Sequence, residues 1–162
     1  MSAPAFTVAG RIQAAVRDQL ESWGALSGVE VATGPRRKTV GEGITVGHPK
    51  AMSTYHGAYR SESGTFLVVV DAFRQGAGES AIDTARERVD ALASEVVAAL
   101  SLSEQTGGDL TLGGLVLSVG DTVEVEELDN YTEEERARLK GHGYTLGLTF
   151  AYTARITTGG SS

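Results

Sequence analysis

The feature that most limits the fold lies near the end of the chain. Thirteen residues, "YTLGLTFAYTARI" from Tyr144 to Ile156, alternate without a break. Tyr144, Leu146, Leu148, Phe150, Tyr152, Ala154 and Ile156 share one side, and Thr145, Thr149, Thr153 and Arg155 share the other. A period of two belongs to a strand with one face on a core. At ~3.4 Å per residue it reaches roughly 40 Å, which is long for a chain of 162 residues. One end is expected to extend toward a neighbouring subunit. The chain therefore builds a sheet, and its other segments must cover and flank this strand.

"TFLVVVDAF" (residues 65–73) is apolar at both parities and reads as a central strand covered on both faces. A helix follows it. Ile82, Ala85, Val89, Leu92, Val96 and Leu100 step by three and four into one apolar stripe. Ser80 is the expected N-cap, with Asp83 as the acid of a capping box. Near the start, Val8, Ile12, Val16 and Leu20 mark a first helix capped by Thr7. "GVEVATG" (28–34) reads as a short strand. Residues 35–64 read as a long loop in which only "ITVG" (44–47) is strand-like. Leu115, Leu117, Val119, Val123 and Val125 alternate again. Gly120-Asp121 interrupts them without changing parity, which favours a bulge over a hairpin turn. "YTEEERARLK" reads as a short exposed helix with Thr132 and Glu135 as its capping box. The expected fold is α+β: one domain over 1–162, a mostly antiparallel sheet of four to five strands, and two helices packed on one face. A charged hairpin tip is inserted at 128–143, and 157–162 form a flexible tail.

The search for chemistry is mostly negative. A phosphate loop lies between a strand and a helix, with the helix N-terminus aimed at the anion. Gly113-Gly114 follows a helix and precedes a strand, the reverse order, and "GEGITVG" (41–47) lacks the spacing. His48, His56 and His142 lie in Gly-rich stretches and form neither HxH nor HExxH. There is no cysteine and no GxSxG. We therefore expect no enzyme, no cofactor and no metal. The acids cluster in two runs: Glu124, Glu126, Glu127 and Asp129, then Glu133, Glu134 and Glu135. Arg36, Arg37 and Lys38 form the only basic run. A net charge of −7 argues against wrapping nucleic acid, which needs cations to displace counterions. The opening residues show no secretion signal, and no apolar run approaches the ~20 residues of a membrane span.

The order of these segments resembles that of the tail terminator proteins of long-tailed phages. The likeness rests on "VEVATGP" and "ITVG", "DAFRQGAGESAIDTARERVDALASEVVAAL", "LTLGG" before an alternating strand, and "GYTLGLTFAYTAR" at the end. It runs from about Arg11 to Ile156; the 128–143 insert departs from the shorter hairpins of that pattern. In that setting Gly113-Gly114 is a bend that turns the chain from the helix layer into the sheet, with Leu112 and Leu115 buried. The resemblance implies a homohexameric ring that caps the tail tube, stops its elongation and joins it to the head-tail connector or stopper. It implies a place in the virion, reached from the host cytoplasm, with genomic DNA passing through the lumen without specific binding. The runner-up is another neck component, a head-completion or connector protein. In the ring reading at least one acidic run is expected to line or rim the channel, and Arg36, Arg37 and Lys38 to face a protein partner or the rim. The competing role for the acids is solubilising an exposed hairpin tip.

Overall fold

The computed structural model describes residues 7–35, 40–56, 59–76, 78–101, 111–112, 115–116, 118–128 and 131–157. The elements run α1 (Ala9–Glu21), a 3-10 turn (Gly24–Leu26), β1 (Glu30–Ala32), β2 (Gly41–Val46), β3 (Lys50–His56), β4 (Tyr59–Gln75), α2 (Glu79–Ala99), β5 (Ser118–Leu128), α3 (Glu133–Leu139) and β6 (Gly141–Thr157). The sheet has the order β1-β2-β4-β6-β5, and β3 pairs with the part of β4 that β2 does not reach. Among the described residues only β1 and β2 pair in parallel. The α+β class and the largely antiparallel sheet are as expected.

The strand count is higher than expected because most of the described residues between 35 and 64 are in strands. They hold β2, β3 and the beginning of β4. Residues 51–54 of β3 are all exposed, so no buried face imposes an alternation on them. The early part of β4 is a strand because β6 lies beside it. The two pair along all 17 residues, from Tyr59↔Thr157 to Gln75↔Gly141.

One face of this sheet carries the main core. Ile44, Val46, Phe66, Val68, Val70, Leu148, Phe150 and Tyr152 meet Ile12, Val16 and Leu20 of α1 and Ala85, Val89, Leu92 and Val96 of α2. Phe66 and Phe150 are cross-strand partners, and their rings stack at 5.3 Å. Burying each such side chain stabilises by roughly 1.5–3 kcal/mol.

The caps expected for α1 and α2 are both replaced. The N-cap of α1 is Val8; Thr7 instead accepts from the Ala9 N–H at 3.0 Å and donates to the Glu62 carboxylate. α2 begins one residue before Ser80, after Gly78 at φ 84, a conformation glycine reaches without a Cβ penalty. Ser80 thus lies inside the first turn, its carbonyl accepting from Thr84 Oγ1 at 2.9 Å, while Asp83 pairs with Arg86.

The interruption in β5 is a bulge. Val119 pairs with Tyr152, and the next pair is Val123 with Phe150. Three residues of β5 stand against one of β6, so two are extra and the parity survives. Gly113-Gly114, Leu117 and the tail from 158 on lie outside the described residues. Leu112 is buried at φ 51, and Leu115 is half-buried against the core.

The tip does not stand free. It folds onto the second face of the sheet, so helices cover both faces rather than one. Phe73, Tyr131 and Leu139 form their own buried cluster, with the Phe73 and Tyr131 rings 5.1 Å apart. The Tyr131 hydroxyl donates to Asp71 Oδ1 at 2.9 Å, fully buried. A Cβ at Gly143 would collide with the Tyr131 ring, so only glycine lets the tip close. The expected capping box of α3 is present: Glu135 N–H to Thr132 Oγ1 and Thr132 N–H to Glu135 Oε1, both 3.0 Å. The strand read as covered on both sides is so only at its Asp71–Phe73 end; Leu67 is 37% exposed.

Gly143→Ala is expected to undock the tip while leaving the main core folded. A clash of this kind costs about 1–3 kcal/mol, and cleavage of an opened segment follows its population. Tryptic cutting after Arg136 and Arg138 should therefore accelerate about tenfold with an unchanged far-UV spectrum. Unaltered cutting would show that the tip is not held there. Tyr131→Phe, which removes one donor from buried Asp71, should cost about 1–2 kcal/mol in urea unfolding.

Candidate functional site

The acidic residues occupy an edge strand and the start of a helix, and the sheet divides them. Glu124 pairs with Thr149 and Glu126 with Gly147, which puts both on the face that carries α3. Glu127 pairs with Leu146 and belongs to the α1/α2 face. Its carboxylate lies 3.5 Å from the Tyr144 hydroxyl, and the Arg86 guanidinium sits 5.1 Å over the Tyr144 ring. Burial and then the Glu127 charge hold the Tyr144 phenol above its ordinary pKa, against the opposing pull of Arg86.

Glu133 and Glu134 are exposed in the first turn of α3, where negative charge complements the helix dipole. Glu135 is half-buried and committed to the capping box. The two acidic runs are thus divided: Glu124 and Glu126 lie on the face that carries α3, Glu127 lies on the other, Glu133 and Glu134 stand in the exposed first turn of α3, and Glu135 closes the capping box. Asp129, Arg36, Arg37 and Lys38 lie outside the described residues.

Two further features arise from contacts between distant segments. The first is an ionic junction around Glu42. Arg88 of α2 donates to Glu42 Oε1 through Nε at 2.9 Å and approaches it through Nη2 at 2.7 Å. Arg74 of β4 donates to Glu42 Oε2 at 3.1 Å and to the Phe73 carbonyl at 3.1 Å. Burial alone would raise the Glu42 pKa; the hydrogen bonds and charges of Arg88 and Arg74 outweigh it and leave it lowered. The signal was available, since Glu42 shares its parity with buried Ile44 and Val46 and so points into the helix layer.

The second is a mostly apolar groove of about 460 Å³ between α2 and β5, where Asp90 and Ser94 join Ala93, Val97, Val123, Val125, Leu146 and Leu148 in the lining. It exists because α2 packs over β4 and β6 and stops short of the edge strand. Val125 is left 61% exposed. A second recess of about 560 Å³, near Gln13, Thr45, His48 and Asp71, has Gln13 Nε2 already donating to the Thr33 and Val46 carbonyls. Among the described residues no three His, Asp or Glu side chains come together as metal ligands would. What the surface offers is an acidic edge beside an apolar groove, which is suited to binding another protein surface.

No protein-family model matches the chain, and no curated protein does. Among solved structures, a chain from the virion of a native gene transfer agent particle has the same fold. The TM-score is 0.54 at 19% identity, covering 94% of this chain and 99% of that one.

The Glu42 junction makes a pH-dependent contribution with a defined sign. A carboxylate whose folded pKa is lowered stabilises above its unfolded value, and that contribution is lost as pH falls through the folded value. Glu42→Gln should therefore destabilise by about 1 kcal/mol at pH 7, a modest figure because both arginines are part exposed. The gap to the parent should close in urea titrations carried below the ordinary carboxylate range. A gap that stays constant down to pH 3 would mean that the charge of Glu42 contributes nothing.

Proposed function

We propose that this chain is a structural virion protein that forms a six-membered ring on the last ring of a phage-type tail tube. There it stops elongation and offers its other face to the head-tail connector or stopper. The observation that carries this reading is the end-to-end likeness of fold to a chain of a gene transfer agent virion. The order of segments that resembles tail terminators supports the finer assignment. The chain acts by binding rather than by catalysis. A tube end presents a stacking surface that recruits further subunits, and a closed cyclic ring occupies that surface without repeating it. The protein works in the virion and waits in the host cytoplasm before assembly.

The acidic face has a role in this setting. Genomic DNA must cross the ring without sticking, and a cationic wall would bind its phosphates. Glu124 and Glu126 on the face that carries α3, and Glu133 and Glu134 in the exposed first turn of that helix, supply carboxylates for a wall or rim that repels the DNA. Arg36, Arg37 and Lys38 are left to meet a protein partner.

Deletion of the gene from a phage that encodes it should yield filled heads that cannot join tails, and tubes of abnormal length. Joined tails of normal length would overturn the reading. Light scattering on the purified protein, alone and with tail tubes, should give a species of about six copies in at least one condition. A chain that stays monomeric and ignores tubes would remove the ring.

A further inference from the structure

Among the described residues the sheet ends at β5 on one side and at β1 and β3 on the other. Among the described residues β5 pairs only with β6, and β3 pairs only with β4. β5 has 11 residues and β3 has 7. An open edge is a row of unpaired N–H and C=O groups that templates another strand. The directions agree: β5 is antiparallel to β6, β6 to β4 and β4 to β3, so β3 runs antiparallel to β5. A second copy stepped along the sheet brings its β3 antiparallel to the first copy's β5.

The faces and charges agree as well. Ala51↔Gly64 and Ser53↔Glu62 put Ala51 and Ser53 on the helix side, with Lys50, Met52 and Thr54 on the other. On β5, Val123 and Val125 lie on the helix side, and Glu124 and Glu126 on the other. Joined edges, with the second copy slid along the strands by about four residues (~13 Å), set Lys50 opposite Glu126 and Met52 opposite Glu124, and the small Ala51 and Ser53 opposite Val125 and Val123 of the groove. β5 carries Asp121, Glu124, Glu126 and Glu127 and no Lys or Arg; β3 carries Lys50 and His56 and no Asp or Glu. Like charges directly opposite destabilise a strand pair, so the acidic edge rejects a second β5 and admits β3.

We propose that β5 is the docking edge for β3 of a second copy of this chain, paired antiparallel and head to tail. Each copy then carries one edge of each kind, and a head-to-tail contact closes into a ring when the rotation allows. The proposal rests on the ring reading above and names its contact. Met52 is 78% exposed, which suits a residue whose neighbours are supplied by the partner.

The chain has no cysteine, so disulfide trapping is free of background. Full-length single variants M52C, E124C and E126C would be oxidised alone and in pairs, with and without tail tubes, while native mass spectrometry follows assembly. M52C mixed with E124C or E126C should give covalent dimers, and each variant alone should not. The double variant M52C/E126C should give a ladder ending in a closed species. K50E should weaken assembly about tenfold, and E126K in the same chain should restore it. Trapping of E126C with itself, or unchanged assembly of K50E, overturns the proposal. A ring in the mass spectrum without mixed cross-links overturns the edge pairing and leaves the ring standing. A monomer in every condition overturns both.

Discussion

Everything in this fold depends on the pairing of β4 with β6. Two strands of 17 residues run antiparallel along their full lengths and place Phe66 against Phe150, Val68 against Leu148 and Val70 against Leu146. These pairs set the register, and a slip of one residue would turn every one of these side chains away from the helices. β2, β3 and β5 are fitted to the margins of that ladder, and α1 and α2 to its apolar side. Gly64 shows how tight the fit is. A Cβ there would press on the Tyr152 ring and the Lys50 carbonyl, so β3 closes on β4 only because glycine stands at this point.

The same pairing carries a buried polar group into the core. Glu62 is 1% exposed, yet it lies on the helix face, where Tyr152 donates to it at 3.0 Å and Thr7 from the start of α1. Burial and the Glu62 carboxylate raise the Tyr152 pKa, so the phenol keeps its proton and remains a donor. A buried acid is tolerated when it is hydrogen-bonded, and here its partners tie α1, β4 and β6 at one point. The Glu42 junction ties β2, β4 and α2 near the opposite end of β4. Local sequence shows neither, because the partners are 55 to 90 residues away for Glu62 and 32 to 46 for Glu42.

What the sequence made legible follows the same division. The β6 alternation, the α2 stripe, the β5 bulge and the α3 capping box are local patterns, and each is present. β3 was missed because none of Ala51 to Thr54 is buried and its pairing comes from β4 alone. The caps at Thr7 and Ser80 were misread because each residue has another partner or position once the chain is folded. Of the candidate surface, the acids were found but their division was not. A one-residue difference in register parity separates Glu126 from Glu127, and the seat of the tip on Gly143 is a contact between faces that periodicity does not encode.

That seat has an evolutionary consequence. The cluster of Phe73, Tyr131 and Leu139 shares no residue with the main core. Changes in the tip's length or charge need preserve only one aromatic plug, one buried carboxylate and one missing Cβ. Natural variation can therefore work on this module with little penalty to the scaffold. Among descendants of this chain, the tip is where divergence should accumulate first and where a new partner can be accommodated without redesigning the sheet.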